Sequence, residues 1–333
     1  AGMGRLRVDA EELGAWLRLT ETPDLGRGSA RRLLAAFGSP QSVLASSAAQ
    51  RRQVVSARAA QALEQPGARH AGLLADTLAW LGSDESRHVV ALGEADYPAS
   101  LLETADPPLL LYAIGRLERL KSPSLAIVGS RHASVQGRQN AREFASHLGQ
   151  TGLTIVSGLA IGIDGAAHEG ALGTLGSTIA VVATGLDQTY PRRHAALAER
   201  IAAEGLVVSE YSLGTPPLRE NFPQRNRLIA GLTRGTLVVE ANLQSGSLIT
   251  ARLAVECGRD VFAIPGSIHA PQSKGCHALI KQGAKLVETA QDVLEELGLQ
   301  LAEPVAGQAA AAASDSRPEP VLDVMGHDPI GLD

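Results

Sequence analysis

Ser124-Leu125-Ala126-Ile127-Val128-Gly129-Ser130-Arg131 decides the fold. Four consecutive apolar residues run into a glycine, a hydroxyl residue and a cation. A short continuous apolar run that ends in turn residues marks a strand buried on both faces. The pattern then repeats along the chain. Residues 137–148 have helical spacing, 153–156 form another apolar run, and 165–172 form another helix. The strand 178–183, the helix 193–204 and the strand Leu206–Ser209 continue the alternation. A helix over 225–232, a strand over 236–239, a helix over 247–257 and a strand over 261–264 complete it. Short apolar strands alternating with helices predict an α/β fold, with a mostly parallel sheet covered by helices on both faces.

On the N-terminal side, residues 4–84 read as helical: 8–20 is amphipathic, and 29–37 carries apolar residues at helical spacing. Between them, Leu25-Gly26-Arg27-Gly28 suits a plain helix-to-helix turn. It also suits the tight hairpin of a helix-hairpin-helix or SAM-like bundle, whose amides can face a phosphate. Val89-Val90-Ala91-Leu92 reads as a short strand ahead of Pro107-Pro108 and the apolar Leu109-Leu110-Leu111-Tyr112. The α/β domain is expected over 85–300. Beyond it, 301–320 has the composition of a flexible linker, and 321–333 begins a further helical pattern that stops short, a truncated stub.

The chain has 333 residues, about two domains' worth. Apolar content of 44% and charged content of 20% describe an ordinary globular protein. Two cysteines, Cys257 and Cys276, make a disulfide framework implausible and fit a reducing cytoplasm. No apolar run is long enough for a membrane span. A net charge of −5 argues against coating duplex DNA by bulk charge, but not against a local basic groove. Asp164 and His168 stand four apart and Cys276 adjoins His277, yet no spacing fits a zinc site. Asp164 reads as a cap or a loop-orienting group. Glu210 and Glu240 lack an evident nucleophile or partner for catalysis. Neither GxGxxG nor GxxxxGK[ST] occurs. No metal, no cofactor and no enzymatic activity are expected.

The strand exits carry residues suited to anions. They read Gly129-Ser130-Arg131, then Ser157-Gly158 with Gly162, then Ser245-Gly246-Ser247. Glycine admits close backbone approach, serine adds a donor, and a helix N-terminus follows each exit. The same residues also suit tight turns, but three such exits at one sheet edge point to ligand binding. The tract Arg219 to Arg234 adds four arginines against one acid, a local charge of +3, around Asn221-Phe222-Pro223-Gln224-Arg225-Asn226-Arg227. Guanidinium forks match phosphate oxygens, and a ring offers a face to an unpaired base. With only ten aromatic residues in the chain, that juxtaposition is not an effect of composition. The candidate contacts to single-stranded DNA are therefore Gly129, Ser130, Arg131, Ser157, Gly158, Gly162, Arg219, Asn221, Phe222, Arg225, Asn226, Arg227, Ser245, Gly246 and Ser247.

Taken together, these stretches resemble the DNA-processing protein A family (DprA, also called Smf). The resemblance rests on Ile127-Val128-Gly129-Ser130-Arg131, Ser157 through Asp164, His168, Gly185, Tyr190-Pro191, Ser209-Glu210, the Asn221 tract with Ile229, Ser245-Gly246-Ser247 with Thr250-Ala251, and Pro265-Gly266. It implies an extended Rossmann-like domain that binds single-stranded DNA, forms a homodimer and helps load the RecA recombinase during natural transformation, without enzymatic activity. It also implies a SAM-like N-terminal domain and a winged-helix-like C-terminal domain that the stub begins. Arg219 stands where the family often has lysine, and Cys276 where it often has asparagine. Two rival readings remain. One is a Rossmann-like nucleoside monophosphate phosphoribohydrolase, whose PGGxGTxxE motif is missing. The other is a scaffold without nucleic acid, against which the arginine tract argues.

Overall fold

The computed structural model describes residues 9–299. The expected linker and C-terminal stub lie outside them, as do residues 4–8 of the helical region. Nine strands form one sheet: β1 (Arg87–Ala91), β2 (Leu110–Gly115), β3 (Ser124–Val128), β4 (Thr154–Ser157), β5 (Thr178–Val182), β6 (Leu206–Ser209), β7 (Gly235–Val238), β8 (Asp260–Ala263) and β9 (Lys285–Leu286). Their spatial order is β1-β2-β6-β5-β4-β3-β7-β8-β9. From β6 to β9 every pairing is parallel, whereas β2 runs antiparallel to both β6 and β1. The fold is therefore an extended Rossmann-like α/β domain, preceded by a helical region.

The apolar runs read from sequence are strands because both faces are covered. Along β3 the side chains alternate between two cores. Leu125 and Ile127 pack with Ile155, Phe144, Leu148 and Phe262. Ala126 and Val128 pack with Val156, Val238, Leu228 and Ile229 on the other face. The helix Val135–Gln150 covers the first face, its N-terminus capped by Ser134, whose hydroxyl accepts from the amide of Gly137.

The helices from Ala10 to Gly82 share a core with the antiparallel end of the sheet. Leu13, Trp16, Leu17, Leu33 and Trp80 pack with Val89, Ala91, Leu110 and Tyr112, and the Trp80 and Tyr112 rings meet edge-on at 6.0 Å. These helices and the sheet belong to one compact unit.

Two elements differ from the sequence reading in an instructive way. The apolar run Leu109–Tyr112 leads into strand β2, whose residues Leu110–Ala113 are buried. The helix expected from Arg225 opens four residues earlier, at Asn221, and runs Asn221–Leu232. Pro223 falls in its first turn, where a missing amide hydrogen costs nothing, so the proline belongs to the helix instead of preceding it.

Candidate nucleic-acid interface

Strand order reverses between β3 and β7: the chain steps away from β3 through β4, β5 and β6, then returns to β3's other side. At such a point the loops leaving the carboxyl ends diverge and leave a crevice for ligand. Here the crevice is an open groove of about 820 Å³. It is lined from β3 by Gly129, Ser130, Arg131 and His132, and from β7 by Asn242, Gln244, Ser245, Gly246 and Ser247. The start of the helix Asn221–Leu232 contributes Phe222, Pro223, Arg225 and Asn226, and the segment before it Pro217 and Arg219. Tyr190 joins from the loop after β5. The backbone stitches the two loops together, since the amide of Ser130 donates to the carbonyl of Glu240 at 2.7 Å.

Phe222 is the centre of the arrangement. Its ring lies 5.6 Å from that of Tyr190 at a tilt of 57°. The guanidinium carbons of Arg131 and Arg225 lie 5.7 Å and 6.0 Å from the ring centroid. Arg131 and Arg219 are exposed, and neither forms an ion pair among the described residues. The groove thus pairs two free guanidinium groups with two partly open aromatic rings. Phosphate and base faces are the chemistry that such a surface receives.

Other expected contact residues do different work. Arg225 is only 4% exposed. Its Nη1 donates to the carbonyls of Gly158, at 2.7 Å, and Val181. Burial pushes its pKa down to about 10 while Asp164 pulls the other way, so it stays charged at neutral pH. Burial pushes Asp164 above the usual carboxylate range, against the pull of Arg225 and of the Ala160 and Gly158 amides. Arg225 on the Gly158 carbonyl and Asp164 on the Gly158 amide form a strut that braces this loop beneath the groove.

Arg227 is two residues further along the helix and points away from the groove. It is ion-paired with Glu210, and its Nε lies 3.4 Å from Asp106. Arg27 and Arg31 of the helix Arg27–Phe37 meet the same Asp106 at 2.8 Å and 2.6 Å. Arg227 therefore ties the helix to the helical region, its charge met by two carboxylates. It faces away from Arg225 because residues two apart on a helix project about 200° apart.

The second strand exit also closes on itself. The Ser157 hydroxyl is buried and donates to the carbonyl of Ile127 at 2.6 Å. The Gly158 amide, expected to face DNA, donates to Asp164 at 3.1 Å. A Cβ on Gly158 would lie 2.5 Å from Nη1 of Arg225, so glycine is needed for the strut. Gly162 has φ of 87° and would place a Cβ 2.2 Å from the Ser130 carbonyl oxygen. Asn221 is buried and donates to the Ala183 carbonyl at 3.2 Å. None of Ser157, Gly158, Gly162, Asn221 and Arg227 lines the groove. Their place in the fold is structural.

Asp164 fulfils its expected role of orienting a loop. His168 is buried beside Thr178, 2.7 Å from its hydroxyl, and burial followed by the charges of His194 and Arg225 pushes it down to about 3. It is a neutral core group. Cys276 is buried near the carbonyls of Val238 and Val239, and no group of potential metal ligands forms among the described residues. Sequence reasoning missed Tyr190, His132, Asn242, Gln244 and Pro217 in the groove. Tyr190 carried a signal, an aromatic beside a proline at a strand exit, whereas Asn242 and Gln244 carried only their nearness to Ser245.

A family model described as DNA recombination-mediator protein A matches residues 88–298, well over half of the chain. The chain belongs to that family. Protein Smf of Escherichia coli is 50% identical over 222 residues, covering 66% of this chain and 59% of that protein. The DNA processing protein DprA of Streptococcus pneumoniae is 54% identical over 200 residues, covering 60% of this chain and 71% of that protein. The chain thus spans less than two thirds of the Escherichia coli relative.

Among solved structures, DNA processing protein A from Streptococcus pneumoniae superposes with a TM-score of 0.74 at 39% identity, over 87% of this chain and 98% of that one. The Helicobacter pylori protein, described for its single-stranded DNA binding mode, gives 0.58 at 32% identity over 63% of this chain and 95% of that one. No described helix is long and apolar enough to cross a membrane.

Proposed function

We propose that this member of the DNA recombination-mediator protein A family binds single-stranded DNA in the groove at the β3/β7 switch point. The observation that carries the reading is the convergence of Arg131, Arg219, Phe222 and Tyr190 on one crevice, with both exposed arginines lacking an acid partner. Arg131 and Arg219 neutralise successive phosphates. Phe222 and Tyr190 take a base, and the amides and hydroxyls of Ser130, Asn242, Gln244 and Ser245 steady the chain without reading much sequence. The similar fold of a Helicobacter pylori protein described for single-stranded DNA binding supports the reading.

The role is one of handling DNA without cleaving it. Glu240 is engaged as a cap, accepting from the Ser134 amide and hydroxyl at 2.9 Å and 2.5 Å, and Asp164 is engaged in the strut. In the cell the protein works in the cytoplasm as a homodimer, and passes the bound strand to a RecA recombinase during transformation.

Fluorescence anisotropy with labelled oligothymidylate tests the groove. Each charge-assisted contact is worth about 1.5–3 kcal/mol, so Arg131→Ala with Arg219→Ala is expected to weaken binding by roughly two to four orders of magnitude. The fold is expected to stay intact, because both side chains are exposed. Wild-type affinity in the double variant would refute the assignment.

A further inference from the structure

Tyr190 reaches the groove from a loop with few supports of its own. Its ring meets that of Phe222 at 5.6 Å and is still 46% exposed. Among the described residues, no side chain from Thr189 to Arg193 makes a hydrogen bond or an ion pair. The first side chain after Tyr190 that does is His194, which closes the turn Arg192–His194 ahead of the helix Ala195–Glu204. The His194 amide also donates to the Pro191 carbonyl at 2.9 Å, drawing the turn together.

The His194 ring reaches across to the second strand exit. Its Nδ1 lies 3.0 Å from the carbonyl oxygen of Leu159. A carbonyl only accepts, so Nδ1 carries the hydrogen and the imidazole donates. Leu159 is a fixed point. It is buried, packs with Ala180, Val182, Leu197 and Ile201, and holds φ at 58°, uncommon for a residue with a side chain. On one side of it the strut braces Gly158, and on the other the Ala160 carbonyl accepts from the Gly165 amide at 3.1 Å.

Gly165, in the helix Ile163–Ala171, leaves room for this ring. A Cβ there would lie 2.7 Å from Cε1 and 3.1 Å from Nε2 of His194. Its φ is not positive, so packing of the imidazole, and not backbone conformation, is what this glycine serves. His194 itself does not line the groove. Its hydrogen bond ties the loop that carries Tyr190 to the braced exit beneath.

We propose that His194 is a positioning residue for single-strand binding: fixed on Leu159, it holds the Tyr190 loop so that the ring stays against Phe222, where a base stacks. The proposal rests on the groove reading and extends it to a residue outside the groove. A ring held in place beforehand has less freedom to lose when the strand binds.

Anisotropy titrations of the full chain with labelled oligothymidylate test this. Losing one neutral hydrogen bond corresponds to a fall in affinity of about threefold to tenfold, and that is the loss expected for His194→Ala. The salt slope is expected to match wild type, because no phosphate contact is removed. His194→Asn, whose amide nitrogen stands in for Nδ1, is expected to restore binding. In a Tyr190→Ala background, His194→Ala is expected to cost nothing more. Leu197 keeps the following helix packed on Leu159, so the fold is expected to survive. Should His194→Ala fail to fold, His194→Leu, which keeps bulk and removes the donor, is read the same way.

Wild-type affinity in the donor-free variant, a loss that His194→Asn does not restore, a loss undiminished in Tyr190→Ala, or a flattened salt slope each overturns the proposal. The Arg131→Ala, Arg219→Ala variant is titrated alongside. Weak binding there with wild-type binding by His194→Ala overturns the positioning role alone. Wild-type binding by the arginine variant overturns the groove reading and the positioning role with it.

Discussion

Phe222→Ala removes the ring at the centre of the groove without removing a charge, which separates stacking from phosphate neutralisation. A base stacked on an aromatic side chain is worth roughly 1–3 kcal/mol. The ring also holds Arg131, whose guanidinium carbon lies 5.7 Å from its centroid, a contact worth about 0.5–1 kcal/mol at an exposed site. Together they come to about 1.5–4 kcal/mol, a loss of roughly tenfold to a thousandfold in affinity for single-stranded DNA.

The salt dependence should behave differently. Each neutralised phosphate contributes a slope of roughly −0.7 in log affinity against log salt. Phe222→Ala leaves the number of neutralised phosphates unchanged, so its line should run parallel to wild type, whereas Arg131→Ala should flatten the line by roughly 0.7. Anisotropy titrations with labelled oligothymidylate between about 50 and 200 mM salt measure both quantities. Unchanged affinity in Phe222→Ala would show that the ring takes no base. A slope change as large as that of Arg131→Ala would show that the ring acts by positioning cations, and the stacking argument would fail.

Two further predictions concern the supports of the groove. Asp164→Asn removes the carboxylate that accepts the Gly158 amide and should cost roughly 1–3 kcal/mol in urea unfolding; a variant as stable as wild type would show that Asp164 does not support this loop. Burial alone would push Asp106 up, but the hydrogen bond from Arg31 and the charges of Arg227 and Arg27 outweigh it and hold the carboxyl below its usual range. A depressed folded pKa contributes stability above the unfolded value of about 4 and loses it as pH falls through the folded value. With a third of the side chain exposed, the stability gap between wild type and Asp106→Asn should be about 1 kcal/mol from pH 7 to 5 and close below about pH 4. A gap that stays constant down to about pH 2 would remove the ion-pair cluster from the account.

The parallel sheet was legible because its strands are buried on both faces, and burial writes itself into sequence as apolar runs such as Leu125–Val128. The groove was legible in part for the same reason: strand exits are short and follow those runs directly. Legibility ended where partners are distant in sequence. Nothing near Arg227 announces Asp106, and nothing near Gly158 announces that the guanidinium of Arg225 fills the space beside it. Glycines at 158 and 162 read equally well as phosphate cradles and as close packing, and the three-dimensional neighbours decide for packing. The division of the arginine tract was partly available from helical geometry, since Arg225 and Arg227 cannot share a face, but only once the helix was known to begin at Asn221. The antiparallel placement of β2 was not available, because a strand buried on both faces carries no mark of its direction.

The central claim is that one crevice, between the β3 and β7 exits, receives the DNA strand. Photocrosslinking of an oligothymidylate carrying 4-thiothymidine, followed by peptide mapping, asks this directly. Adducts are predicted in the peptides that hold Tyr190 and Phe222, and they should disappear in the Arg131→Ala, Arg219→Ala variant. Adducts confined to the helices between Ala10 and Gly82, or to the edge strand β9, would contradict the account.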